Sequence, residues 1–145
     1  MQNKKRVYGL LLALIFLDIT IAIGVFFFPE LWFKIFHGVP YIDPQGLLRR
    51  CGANWAAFGL IQILACLKWE RKPYWLAIVA GVRFSDIFTD WTYLWFSSNI
   101  TMFGRISLFV ISPLNFAFGL YFLNTYKKLV NSPSSQLKLD SSNRD

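Results

Sequence analysis

Long apolar runs alternate with short polar segments along this chain. Four runs carry few charged residues, and they cover residues 7–28, 49–67, 74–96 and 105–123. Each has about twenty residues, the length that an α-helix needs to cross about 30 Å of hydrocarbon. Lipid offers no hydrogen-bond partners to the backbone, so a segment that crosses it must satisfy its own amides as a helix. The pattern therefore predicts four transmembrane helices.

The polar connections at 68–73 and 97–104 leave room only for tight turns. Tight turns place consecutive helices side by side and antiparallel, so the predicted fold is all-α. It is an integral membrane four-helix up-down-up-down bundle over residues 7–128. A stripe of small residues on the second run, which lets another helix approach closely, consists of Gly52, Ala56 and Gly59.

The connection between the first two runs, PELWFKIFHGVPYIDPQG, is longer and amphipathic. Glu30, Lys34 and His37 recur at helical spacing on one face, while aromatic and aliphatic residues occupy another. This predicts a short amphipathic helix in the outer membrane interface. His37 is the only histidine, and it has no cysteine or acidic partner at ligand spacing, so we interpret it as an interfacial polar residue. No metal and no cofactor are predicted.

Composition and charge support a membrane protein with a defined orientation. The chain is 55% hydrophobic with a mean hydropathy of +0.42, which is too apolar for a soluble domain of 145 residues. Ten basic residues fall in segments 1–6, 68–73 and 124–145, and four fall on the other side. The positive-inside rule then places both termini in the cytoplasm and predicts a multi-pass protein of the inner or plasma membrane.

The ends of the chain are interpreted separately. Residues 1–6 form a basic cytoplasmic N-terminus, and residues 129–145 form a polar tail that is predicted to be disordered. Nucleic acid is excluded as a partner because the basic residues are spread over connecting segments and build no soluble basic face.

Four ionisable residues interrupt the apolar runs. Asp18 and Arg83 lie about 16 Å and 13 Å from the cytoplasmic ends of their helices, so opposite charges are at matched depth. Asp86 and Asp90 follow Arg83 at i+3 and i+7 on one helix face. Such residues normally face the bundle interior and pair with one another, because an exposed charge in lipid is costly.

Further polar residues extend this group outward. Arg50 and Arg105 lie at the outer ends of the second and fourth runs, Asn54 lies one turn below Arg50, and Asn115 lies near mid-depth. Together they predict a polar column that runs from the membrane centre to the outer surface. Its candidate binding residues are Asp18, Arg50, Asn54, Arg83, Asp86, Asp90, Arg105 and Asn115.

Several functions fit such a column. It is either a structural network of ion pairs or an outward-facing polar cavity that binds a small molecule or a lipid headgroup. A proton path is a weaker fit because the residues below Asp18 are almost all apolar. The enzymatic alternative uses Asp86 and Asp90 as acid and base on a lipid or sterol. The preferred interpretation is a non-enzymatic binding or accessory subunit.

Two stretches resemble the DoxX-like group of small bacterial membrane proteins, which have four helices. One is LDITIAIGVFFFP, which closes the first run, and the other is LLRRCGANWAAFGL, where Arg50 and Gly52 open the second. The resemblance covers residues 7–125. It implies an inner-membrane protein that is sometimes an accessory subunit of a larger redox or quinone-linked complex.

A second resemblance, to four-helix proteins of the sterol-isomerase type that bury acidic residues in a membrane cavity, implies a sterol or lipid ligand. The expected partners are therefore the lipid bilayer, a bound lipid, quinone or small molecule, and a larger membrane complex or a homo-oligomer.

Overall fold

The computed structural model describes residues 2–131, and most of the tail predicted to be disordered lies outside these residues. The described part contains five helices and no strand, which confirms the all-α prediction. The helices are α1 (Gln2–Phe27), α2 (Pro29–Phe36), α3 (Leu47–Lys68), α4 (Tyr74–Phe96) and α5 (Met102–Val130).

Some helices continue through polar residues beyond the ends of the predicted apolar runs. Helix α5 runs to Val130, seven residues beyond the predicted end, and Asn131 N–H still donates to the Lys127 carbonyl at 3.0 Å. Residues 129 and 130 are thus helical and do not belong to a disordered segment. Hydropathy marks the part of a helix that suits lipid, while the backbone hydrogen bonds continue past it.

Three helices are long and apolar enough to cross a membrane: α1 from Lys4, α3 and α5. Their outward faces carry large exposed apolar side chains, and Phe16 and Leu67 are each 75% exposed. A surface of this kind suits lipid and indicates a membrane protein. Helix α4 has 23 residues, but Arg83, Asp86 and Asp90 make its middle more charged than that of the other three.

Helix α1 packs antiparallel against α3 along the predicted stripe of small residues. A Cβ atom built on Gly52 would lie 3.0 Å from a methyl carbon of Val25, and one built on Gly59 would lie 2.8 Å from the Ile19 Cδ1 atom. The approach that glycine permits at these two positions confirms the role predicted for the stripe.

Helices α4 and α5 form a second antiparallel pair. A Cβ atom on Gly119 would lie 2.6 Å from the ring of Phe84, and the rings of Trp91 and Phe109 meet edge to face with centroids 5.6 Å apart. These two contacts fix the register of the pair. The seven residues from Phe84 to Trp91 on α4 lie beside the ten residues from Gly119 back to Phe109 on α5. The two helix pairs meet each other over a smaller interface, mainly through α3 and α4.

The short helix α2 is confirmed, and its C-terminal end is bound to the start of α5. Thr101 is the N-cap of α5, and its hydroxyl accepts from Gly104 N–H at 3.1 Å. The same hydroxyl donates to the carbonyl of Ile35 at 2.7 Å, and Thr101 N–H donates to that of Phe36 at 2.9 Å. Carbonyls that a helix end leaves unpaired are satisfied here by the neighbouring helix.

His37 links the same end of α2 to α4. Its Nδ1–H donates to the Asn99 carbonyl at 2.8 Å, and its Nε2 forms a hydrogen bond with the Tyr93 hydroxyl. Because a carbonyl only accepts, Nδ1 carries a proton. His37 therefore links the end of α2 to α4 and to the connection that follows α4.

Candidate functional site

Asp18 of α1 and Arg83 of α4 form an ion pair in the interior. Arg83 Nη2 donates to Asp18 Oδ2 at 2.7 Å and Nη1 donates to Oδ1 at 3.4 Å. The two side chains are only 3% and 1% exposed. Both residues are buried, and their ion pair joins α1 to α4. The pairing that was inferred from matched depth is therefore present.

Gln62 of α3 is a third member that sequence reasoning did not assign to the group. Its Nε2 donates to Asp18 Oδ2 at 2.6 Å, and the residue is fully buried. The sequence did indicate its position, because Gln62 follows Gly59 by three residues and so lies on the helix face that meets α1. The Asp18 carboxylate thus accepts from two helices at once.

Asp86 extends the cluster by one turn. Its Oδ2 lies 3.3 Å from Arg83 Nη1, and its side chain is 14% exposed. This distance is longer than that of the Asp18 bond, and Arg83 already directs both terminal nitrogens toward Asp18. Asp86 therefore shares a guanidinium whose main partner is another carboxylate.

Asp90 is less well satisfied. Within residues 2–131 it has no ion pair, and its Oδ2 is buried with no hydrogen-bond partner. A buried carboxylate oxygen without a donor costs free energy unless a proton, a water or another group meets it. Asp90 Oδ2 is one of three such atoms in the group, and the other two are Gln62 Oε1 and Arg83 Nε.

Helix α5 brings two further polar residues to the interior. Ser112 is 1% exposed and Asn115 is 4% exposed. The register set by Gly119 with Phe84 and by Phe109 with Trp91 places Ser112 level with residues 88–91 and Asn115 level with residues 85–88. The Ser112 hydroxyl is buried and has no hydrogen-bond partner in the described part of the chain.

The outer members of the predicted column do not join these ion pairs. Arg50, Asn54 and Arg105 are exposed, and none of them forms an ion pair among the residues described. Long basic side chains near a helix end reach outward to water and headgroups at low cost, so depth alone did not fix their direction. The structure brings together Asp18, Arg83 and Asp86, with Asp90 one turn farther out.

A groove lies along the C-terminal part of α4. Its volume is about 670 Å³, and its lining residues are Phe88, Thr89, Thr92, Tyr93, Phe96 and Ser97. Tyr93 and Ser97 are the next positions outward on the helix face that carries Asp86 and Asp90. Neither Asp86 nor Asp90 lines the groove, and Phe88 and Thr92 lie on the side of α4 opposite to Asp90.

The chemistry of this site is that of carboxylates and hydroxyls. Among residues 2–131, no three His, Cys, Asp or Glu side chains are grouped so that they would hold a metal ion. Asp86 and Asp90 accept hydrogen bonds, attract positive charge or take up protons. Comparisons of the chain with protein-family models, with curated proteins and with solved structures find no match.

Proposed function

We propose that α1, α3, α4 and α5 all cross the membrane as an up-down-up-down bundle, with both termini in the cytoplasm of a cell whose inner or plasma membrane holds the protein. Lys4 pairs with Glu70 at 2.7 Å, so the start of α1 lies beside the turn that follows α3, as this topology requires. The three charges of α4 are compatible with a span because Arg83 and Asp18 neutralise each other inside the bundle.

Within this frame, the chain acts as a non-enzymatic binding or accessory subunit whose site is the Asp86–Asp90 face of α4, reached from the outer side. The observation that carries this proposal is the buried Asp90 oxygen without a partner, level with the equally unpartnered Ser112 hydroxyl. A network that served only to hold helices together would need Asp18, Gln62 and Arg83, but it gains nothing from Asp90.

The ligand class that fits is a small molecule or a lipid headgroup. The resemblance to DoxX-like accessory subunits adds a quinone or a larger membrane complex to the partners that a test has to detect.

Acid–base catalysis on a lipid or sterol is a second candidate. Asp86 borders a guanidinium and Asp90 does not, so the two carboxylates have different environments, as an acid and a base require. This function would use the same residues, so the two candidates are separated by what happens to the bound molecule.

The test is mass spectrometry of the protein released intact from mild detergent. We expect wild type and Glu30→Gln, an exposed carboxylate replaced as a control, to retain a lipid, quinone or other small molecule that Asp90→Asn loses. A wild-type protein that carries neither a ligand nor a partner subunit would contradict the proposal and leave the structural network alone. A retained molecule that wild type converts and Asp90→Asn does not would establish the enzyme instead.

A further inference from the structure

Three basic residues lie close together where α3 ends and the chain turns toward α4. Lys68, Arg71 and Lys72 are exposed and stand at i, i+3 and i+4, the spacing that brings side chains to one face of a helix. The backbone holds this segment, the basic turn (residues 68–72), in a compact form, because Arg71 N–H and Lys72 N–H both donate to the Lys68 carbonyl, at 3.1 Å and 2.9 Å. Like charges at this spacing repel one another, so the basic turn attracts an anion.

The protein supplies no carboxylate to these three cations. Glu70 is the only acidic residue in the basic turn, and α1 occupies both of its oxygens. Lys4 Nζ donates to Oε2 at 2.7 Å, and the Tyr8 hydroxyl donates to Oε1 at 3.3 Å. Within residues 2–131, none of the three cations forms an ion pair. The C-terminal end of α3 offers them only about half a negative charge, against three positive charges.

Aromatic residues surround the basic turn. Lys68 Nζ lies 5.9 Å from the centre of the Trp75 ring, so a cation–π contact holds this ammonium at the start of α4. Trp69 packs edge to face against Tyr8, with ring centroids 5.5 Å apart. Tryptophan and tyrosine side chains are enriched at the boundary between hydrocarbon and water. These contacts therefore indicate that the basic turn lies at the level of the lipid headgroups.

Exposed leucines lie about one helical turn beneath two of the cations. Leu64 precedes Lys68 by four residues and Leu67 precedes Arg71 by four, so each leucine shares a helix face with a cation. Leu64 is 38% exposed and Leu67 is 75% exposed. Cations above apolar side chains match an amphiphile that has a phosphate at one level and acyl chains at the next. A free phosphate ion would meet the cations but would leave the leucines uncovered.

We propose that the basic turn binds the phosphodiester headgroup of an anionic phospholipid, whose acyl chains lie along the Leu64 and Leu67 face of α3. The phosphate oxygens accept from Lys68, Arg71 and Lys72 and neutralise part of their charge. This site lies at the end of the molecule that carries the start of α1, because Lys4 pairs with Glu70. It is separate from the Asp86–Asp90 face, so the inference goes beyond the proposed function.

Native mass spectrometry of the full chain released from mild detergent tests this with phosphatidylglycerol and phosphatidylcholine as probes. We expect wild type to retain phosphatidylglycerol at least fivefold more than phosphatidylcholine. Arg71→Gln combined with Lys72→Gln should remove this preference. Lys127→Gln combined with Lys128→Gln removes the same charge from the exposed last turn of α5 and should keep the preference. No preference in wild type, or an equal loss in both double variants, overturns the inference.

A second measurement uses only the wild-type chain, so it does not depend on how a variant folds. An acetylating reagent modifies exposed lysine amines, and peptide mass spectrometry gives the rate at each lysine. Replacing phosphatidylcholine by phosphatidylglycerol should slow the modification of Lys72 at least threefold more than that of Lys128. Equal slowing at both lysines would mean that the lipid meets a diffuse positive charge, and the inference would fall.

Two further comparisons identify the ligand and the site. Glycerophosphoglycerol, which is the headgroup without acyl chains, should not displace phosphatidylglycerol at equal concentration. Equal competition would show that the basic turn binds soluble phosphodiesters, and the assignment to a lipid would be wrong. Asp90→Asn should leave the retention of phosphatidylglycerol unchanged. A loss of this lipid in Asp90→Asn would assign it to the site of the proposed function and overturn its assignment to the basic turn.

Discussion

Asp18 and Asp90 are the same residue type and each has a buried carboxylate oxygen, yet their surroundings are opposite. The Asp18 carboxylate accepts from Gln62 and twice from Arg83, and its side chain is 3% exposed. Asp90 has one buried oxygen that no described residue meets. A carboxylate among apolar residues is therefore not by itself a functional site. What distinguishes a structural carboxylate from a candidate ligand site is how completely the protein supplies its partners.

The largest expected effect comes from breaking the ion pair between Asp18 and Arg83. Arg83→Met leaves Asp18 buried without its counter-charge, and loss of one partner of a buried pair costs about 3–5 kcal/mol of unfolding free energy. Thermal unfolding in detergent micelles measures this. Arg105→Met makes the same exchange at an exposed position outside the ion pairs and should change the free energy by less than about 0.5 kcal/mol. Equal effects of the two variants would contradict a structural role for Arg83.

The direct comparison of the two carboxylates uses matched substitutions. Asp18→Asn should lower the free energy of unfolding by roughly 2 kcal/mol, because it weakens charge-assisted hydrogen bonds from Gln62 and Arg83. Asp90→Asn removes an unpaired charge at the same size and should change the free energy by less than about 0.5 kcal/mol or raise it. Unfolding by sodium dodecyl sulfate, followed by tryptophan fluorescence, checks both. A larger loss at Asp90 than at Asp18 would reverse our assignment.

Apolar packing provides a third test of how α4 is held. Gly119→Ala forces a Cβ atom toward the Phe84 ring, next to Arg83, and overpacking of this kind costs about 1–3 kcal/mol. Gly81→Ala introduces the same atom where nothing lies within 4 Å, so we expect no loss of thermal stability there. If both variants unfold at the same temperature as wild type, then close packing of α5 does not contribute to the position of α4.

The smallest effect should come from a carboxylate outside the membrane. Asp43 accepts from the backbone N–H groups of Leu48 and Leu47, which lowers its pKa from the usual 3.8. A lowered pKa in the folded chain means that the stabilisation is complete above pH 3.8 and is lost as the pH falls through the lower, folded value. The gap in melting temperature between wild type and Asp43→Asn should therefore be present at pH 6 and shrink below pH 4. A gap that stays constant would exclude this titration as its cause.

The sequence was sufficient for the features that repeat along a helix. The bounds of α4 match the third apolar run, and depth counting at 1.5 Å per residue paired Asp18 with Arg83 before any contact was known. Both rest on helix geometry and on the cost of charge in lipid. The glycine stripe was predictable for the same reason, since helical spacing puts Gly52 and Gly59 on one face.

Other features depend on rotation and on loops, which periodicity does not fix. The outer arginines were placed in the column by depth, but Arg50 and Arg105 extend to the surface because their side chains are long enough to do so. The link from His37 to Asn99 and Tyr93 joins segments 56 to 62 residues apart, and no local pattern indicates it. The lack of a partner for the Ser112 hydroxyl likewise depends on how α5 packs against the other helices.

The ion pair between α1 and α4 also bears on the order in which the chain enters the membrane. Three charges make α4 a poor segment to insert alone, since each such residue at a helix centre costs about 2.5–3.5 kcal/mol on insertion scales. Helix α1 precedes α4 in the chain, so in the proposed topology Asp18 enters the membrane before Arg83 does. We therefore expect α4 to require α1 for efficient insertion. Asp18 would then assist the insertion of α4 in addition to pairing with Arg83 in the folded protein.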